Sequence, residues 1–173
     1  MTQGRLRTLA RIAMMAALAM ILAGCGIYSF SGTSIQNDVN TVTINYFDYK
    51  AQKVNPSLSN DLTEALRTQF RKMTRLEQVD AEADLELSGS ITGYNISATA
   101  ISSSEQATQN RLTIAVEIDF VNNKHPEDNV KKSFSQYADF PATTPFSSVE
   151  SSLCTEIVDK LIEDIFNATV AQW

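Results

Sequence analysis

The chain has two cysteines and one histidine in 173 residues, and this scarcity removes several chemistries together. A structural or catalytic zinc site needs several nitrogen and sulfur ligands at short spacing, whereas Cys25, His125 and Cys154 stand far apart. Long hydrophobic runs are also missing. The longest, Ile12 to Ala23, would span roughly 18 Å as a helix, well short of the ~30 Å hydrocarbon core of a bilayer. There is no Gly-x-x-x-x-Gly-Lys-Ser/Thr phosphate loop, no Gly-x-Gly-x-x-Gly turn and no Gly-x-Ser-x-Gly elbow, so the usual nucleotide and hydrolase signatures are absent. Nor is there an excess of positive charge: 14 Lys and Arg against 20 Asp and Glu give a net charge of -6. Nucleic acid is thereby excluded as a partner of the chain as a whole.

What is present begins with a leader. Arg5, Arg7 and Arg11, with no acidic neighbour, precede the short apolar run; a charged head followed by such a core is a secretory signal. The run closes on Leu22-Ala23-Gly24-Cys25, which resembles a bacterial lipobox: small residues for a narrow protease cleft, then a thiol whose thiolate can be alkylated. The expectation is a signal peptide over residues 1–24 and Cys25 as the lipidated mature N-terminus. It would carry diacylglycerol on sulfur and a further acyl chain such as palmitate on nitrogen. One buried chain holds a protein reversibly and two or more hold it firmly. Gly26, in place of an aspartate after the cysteine, points by analogy with known sorting rules to the outer membrane. Acylation of Cys25 leaves Cys154 without a partner for an internal disulfide.

Residues 25–37 read as a tether and 38–173 as one domain, of a size that buries roughly two-thirds of its unfolded surface. Val39 to Phe47 is rich in β-branched and aromatic residues, which predicts a strand with Val42, Ile44 and Tyr46 on one face. Asn55-Pro56 predicts a cap and a first helical position, for a helix ending near Leu76 whose stripe is Leu58, Leu62, Leu66, Phe70 and Met73. A period of two then places Leu85, Leu87 and Ile91 on one face, and the parity change by Gly89 and Gly93 predicts a bulge. After a polar hairpin loop from Ala100 to Gln109, the alternation Leu112-Ile114-Val116-Ile118-Phe120 predicts a strand buried on one side. Val130 to Phe140, with Lys131 and Lys132, reads as an edge strand protected by lysine. Ser147 and Glu150 match a capping box at the start of a helix whose stripe runs through Leu153, Ile157, Leu161 and Ile165; Cys154 falls on it as a small buried hydrophobe. The expected fold is α+β: two helices on one face of a four-stranded, mostly antiparallel sheet, in the order β-α-β-β-β-α.

No constellation recommends an enzyme or a cofactor, and His125, alone in a turn before Pro126, is not a metal ligand. The cations Arg67, Arg71, Lys72 and Arg75 crowd the second half of the first predicted helix. They either complement the helix dipole or, with Arg111, Lys131 and Lys132, form candidate binding sites for a phosphorylated ligand.

Three stretches carry a resemblance. Cys25-Gly26-Ile27-Tyr28-Ser29-Phe30-Ser31-Gly32, the helix from Leu58-Ser59 to Phe70 with Leu62-Thr63-Glu64-Ala65-Leu66, and Leu85-Glu86-Leu87-Ser88-Gly89-Ser90-Ile91 are similar to the LPS-assembly lipoprotein family, LptE. That resemblance implies a lipid-anchored protein on the periplasmic face of the outer membrane. It implies a plug for the lumen of the LptD β-barrel that assists lipopolysaccharide assembly, with lipopolysaccharide as a possible ligand and no catalysis. An auxiliary lipoprotein of another periplasmic transport or cell-envelope complex, or a hydrolase with an unrecognised site, would have to fit the same residues.

Overall fold

The strict alternation from Leu112 to Phe120 becomes the backbone of the sheet in the computed structural model, which describes residues 35–101 and 107–171. These belong to one compact unit, Gly32–Trp173; the leader, the lipobox and most of the tether lie outside the described residues. We number the strands β1 (Thr41–Ile44), β2 (Asp48–Tyr49), β3 (Glu77–Gln78), β4 (Leu85–Ile101), β5 (Ala107–Asn122) and β6 (Val130–Pro141), and the helices α1 (Leu58–Met73) and α2 (Phe146–Thr169). On β5, Leu112, Ile114, Val116, Ile118 and Phe120 are buried. Antiparallel ladders join β5 to β4 and to β6. The β4 register shifts between Ile91 and Gly93, so the bulge falls at the predicted parity change and Tyr94 takes over the inward position that Ile91 leaves. The hairpin loop is shorter than expected, because Ala100, Ile101, Ala107 and Gln109 are already paired. β6 is the edge strand that its lysines indicated.

The other side of the sheet departs from expectation. It has six strands, not four, in the order β3-β1-β4-β5-β6 with β2 also paired to β4, and β1 and β2 run parallel to β4, as β1 does to β3. The reason is a crossover: a strand followed by a helix returns to the sheet in the same direction, which makes its neighbour parallel. The expected single strand from Val39 to Phe47 is broken after Ile44. Tyr46 turns outward, 56% exposed, while Phe47 goes into the core at 0%. The chain regains the sheet as β2, and β3 is too short for its sequence to show a period.

Both helices cover the face carrying those inward residues. Leu58, Leu62, Leu66 and Phe70 of α1 and Leu153, Ile157, Leu161, Ile165 and Phe166 of α2 are buried in one core with the sheet. Phe70 meets Phe166 edge-on at 5.3 Å. Asn55 before α1 meets Glu150 in α2's first turns, so the helices run parallel. Their ends differ from the sequence reading. Ser57 is the N-cap of α1, and Asn55 Oδ1 instead receives the Ser57 N–H at 3.2 Å. At the other end the Thr74 hydroxyl donates to the Phe70 carbonyl at 2.7 Å, closing the helix early and leaving Leu76 buried beyond it. The capping box of α2 does not form: Pro145 is the N-cap, without a side-chain cap bond, because the Glu150 carboxylate is drawn inward to Tyr94. No helix among the described residues is long and apolar enough to cross a membrane.

Candidate functional site: a bare polar sheet face

With both helices on one side, no other element among the described residues covers the opposite face of β4, β5 and β6, and its outward side chains stand in cross-strand rows. The register places Ser88, Asp119 and Lys131 in one row and Glu117 and Ser133 in another. Gly93, Ala115 and Ser135 follow, then Asn95, Thr113 and Tyr137, and finally Ser97, Arg111 and Asp139. Most are small or polar, so the face is low and wettable. Four of its charges form two pairs, Arg111 with Asp139 and Lys131 with Asp119. Arg111 grips Asp139 with two bonds, Nε to Oδ1 at 2.7 Å and Nη2 to Oδ2 at 2.9 Å. That fork holds the Asp139 carboxyl below its ordinary pKa and the guanidinium above its own. The same guanidinium stacks 3.5 Å from the centre of the Tyr137 ring, whose residue is still 45% exposed. Lys131 lies 3.8 Å from Asp119. A rigid Arg–Tyr pair on a flat polar face is the composition from which protein interfaces draw their anchors.

The seven candidate cations do not converge. Arg67 donates Nε and Nη2 to the Ile44 carbonyl at 3.3 and 2.9 Å and Nη1 to Glu64 at 2.7 Å, so it caps the open end of β1. Arg71 reaches Gln78 Oε1 at 3.3 Å. Arg75 donates to the carbonyl of Gln36 at 2.7 Å and so ties down the chain before β1, while Lys72 is exposed on α1. Lys132 sits 5.2 Å from the Phe134 ring on the edge strand. Of the seven, Arg111 and Lys131 alone share the bare face. Sequence reading missed the partners, Asp139 and Tyr137, whose positions opposite and diagonal to Arg111 follow only from the β5–β6 register.

A second cluster lies inside, where sequence analysis had placed only a capping box and an inert thiol. The Tyr94 hydroxyl, in a residue 1% exposed, donates to Glu150 Oε1 at 2.6 Å. Asn55 Nδ2 donates to the same oxygen at 3.2 Å, and Cys154 Sγ is 3.7 Å from the Tyr94 oxygen. Burial first, then the nearby carboxylate, pushes the phenol well above its ordinary pKa, and burial does the same to the Cys154 thiol. Both stay protonated, the opposite of what a nucleophile requires. The cluster therefore pins the first turns of α2 to β4 and to the start of α1. Among the described residues no group of His, Cys, Asp and Glu is placed to hold a metal ion.

No curated protein matches the chain. Among solved structures it is similar to an uncharacterized lipoprotein B from Nitrosomonas europaea, with 11% identity, 73% of this chain and 79% of that chain covered, and a TM-score of 0.51. It also aligns with the rare lipoprotein B from Shewanella oneidensis, with 12% identity, 72% and 90% coverage, and a TM-score of 0.49. At 11% identity the first likeness is one of fold: two helices against a mixed sheet. The family model described as lipopolysaccharide-assembly, LptE, matches residues 39–169, from the segment entering β1 to the end of α2, and the chain belongs to that family.

Proposed function

We propose that this protein is an outer-membrane lipoprotein, anchored through Cys25 on the periplasmic face, that plugs the lumen of the LptD β-barrel and assists lipopolysaccharide assembly without catalysing a reaction. Family membership supports the assembly role. The observation that carries the plug is the bare face of β4, β5 and β6, with short polar side chains and the Arg111–Asp139 pair closed upon itself. The inner wall of a wide membrane barrel is polar, and strands there alternate lipid-facing and lumen-facing residues. A surface that enters such a lumen has to exchange water for polar contacts without burying unpaired charge. This one is suited to that where Arg111 and Asp139, and Lys131 and Asp119, already partner each other. Of the seven cations, Lys131 on the face and Lys72 on α1 are exposed and are the candidates for a lipid A phosphate, whereas Arg111 is committed to Asp139.

Extraction of the native lipoprotein in mild detergent followed by affinity capture tests the reading. A stoichiometric large β-barrel should be recovered with it. Recovery with an inner-membrane complex, or with no large barrel, would overturn it.

A further inference from the structure

Just before β1 the chain is fastened at many points, and they involve the molecule's only histidine. Arg75, beyond the end of α1, holds the Gln36 carbonyl at 2.7 Å, and Gln36 Nε2 donates to Asp128 in the 3₁₀ turn Pro126–Asp128. The Asp38 carboxylate receives His125 Nε2, at 3.1 Å from each oxygen, and the Asp38 carbonyl receives Lys124 Nζ. Lys124 also lies 3.2 Å from Asp84, whose other oxygen accepts the Asn40 N–H at 2.7 Å. Val39 is fully buried between these contacts. This exceeds what the start of a four-residue strand needs for pairing. Its partners come from three places, the end of α1, the link into β4 and the β5–β6 turn.

We propose that Gln36 to Asn40 is a latch that fixes where the N-terminal chain leaves the domain, and that the Asp38–His125 contact makes it pH-sensitive, tighter in mild acid and looser in mild alkali. The carboxylates facing His125 all favour its cation: Asp38 at 3.1 Å, Glu127 at 3.7 Å from Nδ1, and Asp128. Lys124 is the neighbouring cation, and it is occupied by the Asp38 carbonyl and by Asp84. The hydrogen bond to Asp38 raises the His125 pKa above 6.5. The contribution of that contact is therefore complete below 6.5 and fades as pH rises through the raised value. Asp38 is held below its ordinary 3.8 by the same bond, so it remains an anion throughout this window and loses its share only in strong acid. The buried Val39 and the Asp84 bonds do not titrate there. Opening is consequently local and fractional: without the His125 charge, Gln36 to Asp38 is held by the bonds with Arg75, Lys124 and Asp128 alone and opens more often, while β1 stays in place. On the lipid-anchor reading the released residues would each add up to about 3.5 Å to the anchor's reach; the latch itself does not depend on that reading.

Amide hydrogen exchange on the intact chain, corrected for intrinsic rates, tests it. The Val39 N–H, which donates to the Gln36 carbonyl at 3.2 Å, should lose about threefold or more in protection between roughly pH 6 and pH 8.5, while β5 amides stay constant. In His125→Gln and in Asp38→Asn, Val39 protection should be low and flat across that range. A flat profile in the native chain, a persistent pH response in either variant, or a parallel change in β5 would each refute the latch.

Discussion

Gly89→Ala is expected to destabilise the domain by about 3 kcal/mol, at the upper end of overpacking costs, and to lower the melting temperature by about 10 °C. Gly89 lies on the inward parity of β4, opposite Ile118 of β5, at the place where Phe47 enters the core. A Cβ there would stand 2.5 Å from the Glu117 carbonyl oxygen and 2.5 Å from Phe47 Cε1. The carbonyl belongs to the backbone of the central ladder, and Phe47 is fully buried, so neither neighbour can retreat cheaply in a close-packed interior. The glycine is thus the counterpart of the break between β1 and β2: without a side chain on β4, the chain can leave the sheet at Asn45, bury Phe47 and rejoin at Asp48. Gly93→Ala is the control. Its Cβ would meet the Ala115 Cβ at 3.0 Å on the open face; that methyl cannot move by itself, but a shift of a few tenths of an ångström between β4 and β5 relieves the contact, far less than the 2.5 Å contacts at Gly89 demand. The loss of unfolded-state freedom also favours alanine by a few tenths of a kcal/mol, so the net change should be below about 1 kcal/mol. Thermal or denaturant unfolding of the two variants decides it, and equal melting temperatures would show that Phe47 does not depend on the gap at Gly89.

Tyr94 carries the second large effect, and two substitutions separate its parts. Tyr94→Ala removes a fully buried ring from the core under α2 and should cost about 4 kcal/mol. Tyr94→Phe keeps the ring and removes only the hydroxyl that donates to Glu150 at 2.6 Å. A hydrogen bond to a charged acceptor is worth about 1.5–3 kcal/mol; Glu150 is half-buried and retains Asn55, so about 1.5 kcal/mol is expected. Because the phenol's pKa is raised above its ordinary 10.0, its contribution is complete below that value and is lost only as pH rises through the higher one. The stability difference between the native and Tyr94→Phe proteins should therefore be constant across neutral pH. A Tyr94→Phe protein as stable as the native one would mean that water replaces the hydroxyl and that the cluster does not hold α2.

The course of the chain was legible wherever a single period decided it. The alternation on β5 gave both the strand and its buried face, the parity change around Gly89 and Gly93 located the bulge, and the two apolar stripes gave the helices. Illegible were features set by partners distant in sequence. Glu150 has the right spacing for a capping box, but a buried hydroxyl competes better for its carboxylate than a solvent-accessible amide at a helix end. Val39 to Phe47 has uniform β propensity, yet the strand breaks because Phe47 finds the space over Gly89, which belongs to another strand. The parallel pairing of β1 follows from the strand–helix–strand order, but the strong antiparallel pattern of the later strands masks it. Among the cations, charge and position on α1 suggested a patch, whereas Arg67 and Arg75 spend their donors on backbone carbonyls, a use that no linear pattern signals. Cys25 and the lipobox stand on sequence alone, because they lie outside the described residues.

If the domain plugs a barrel as proposed, the bare sheet face meets the barrel wall. Site-specific photo-crosslinking in cells reports on it most directly, with the reactive side chain placed at Thr113 or Ser135 on the open face and at Glu156 or Asp159 on the exposed side of α2. A large adduct with a β-barrel protein from Thr113 and Ser135, absent from the helix positions, is the predicted result. Adducts with the barrel from Glu156 and Asp159 and none from the sheet would contradict it.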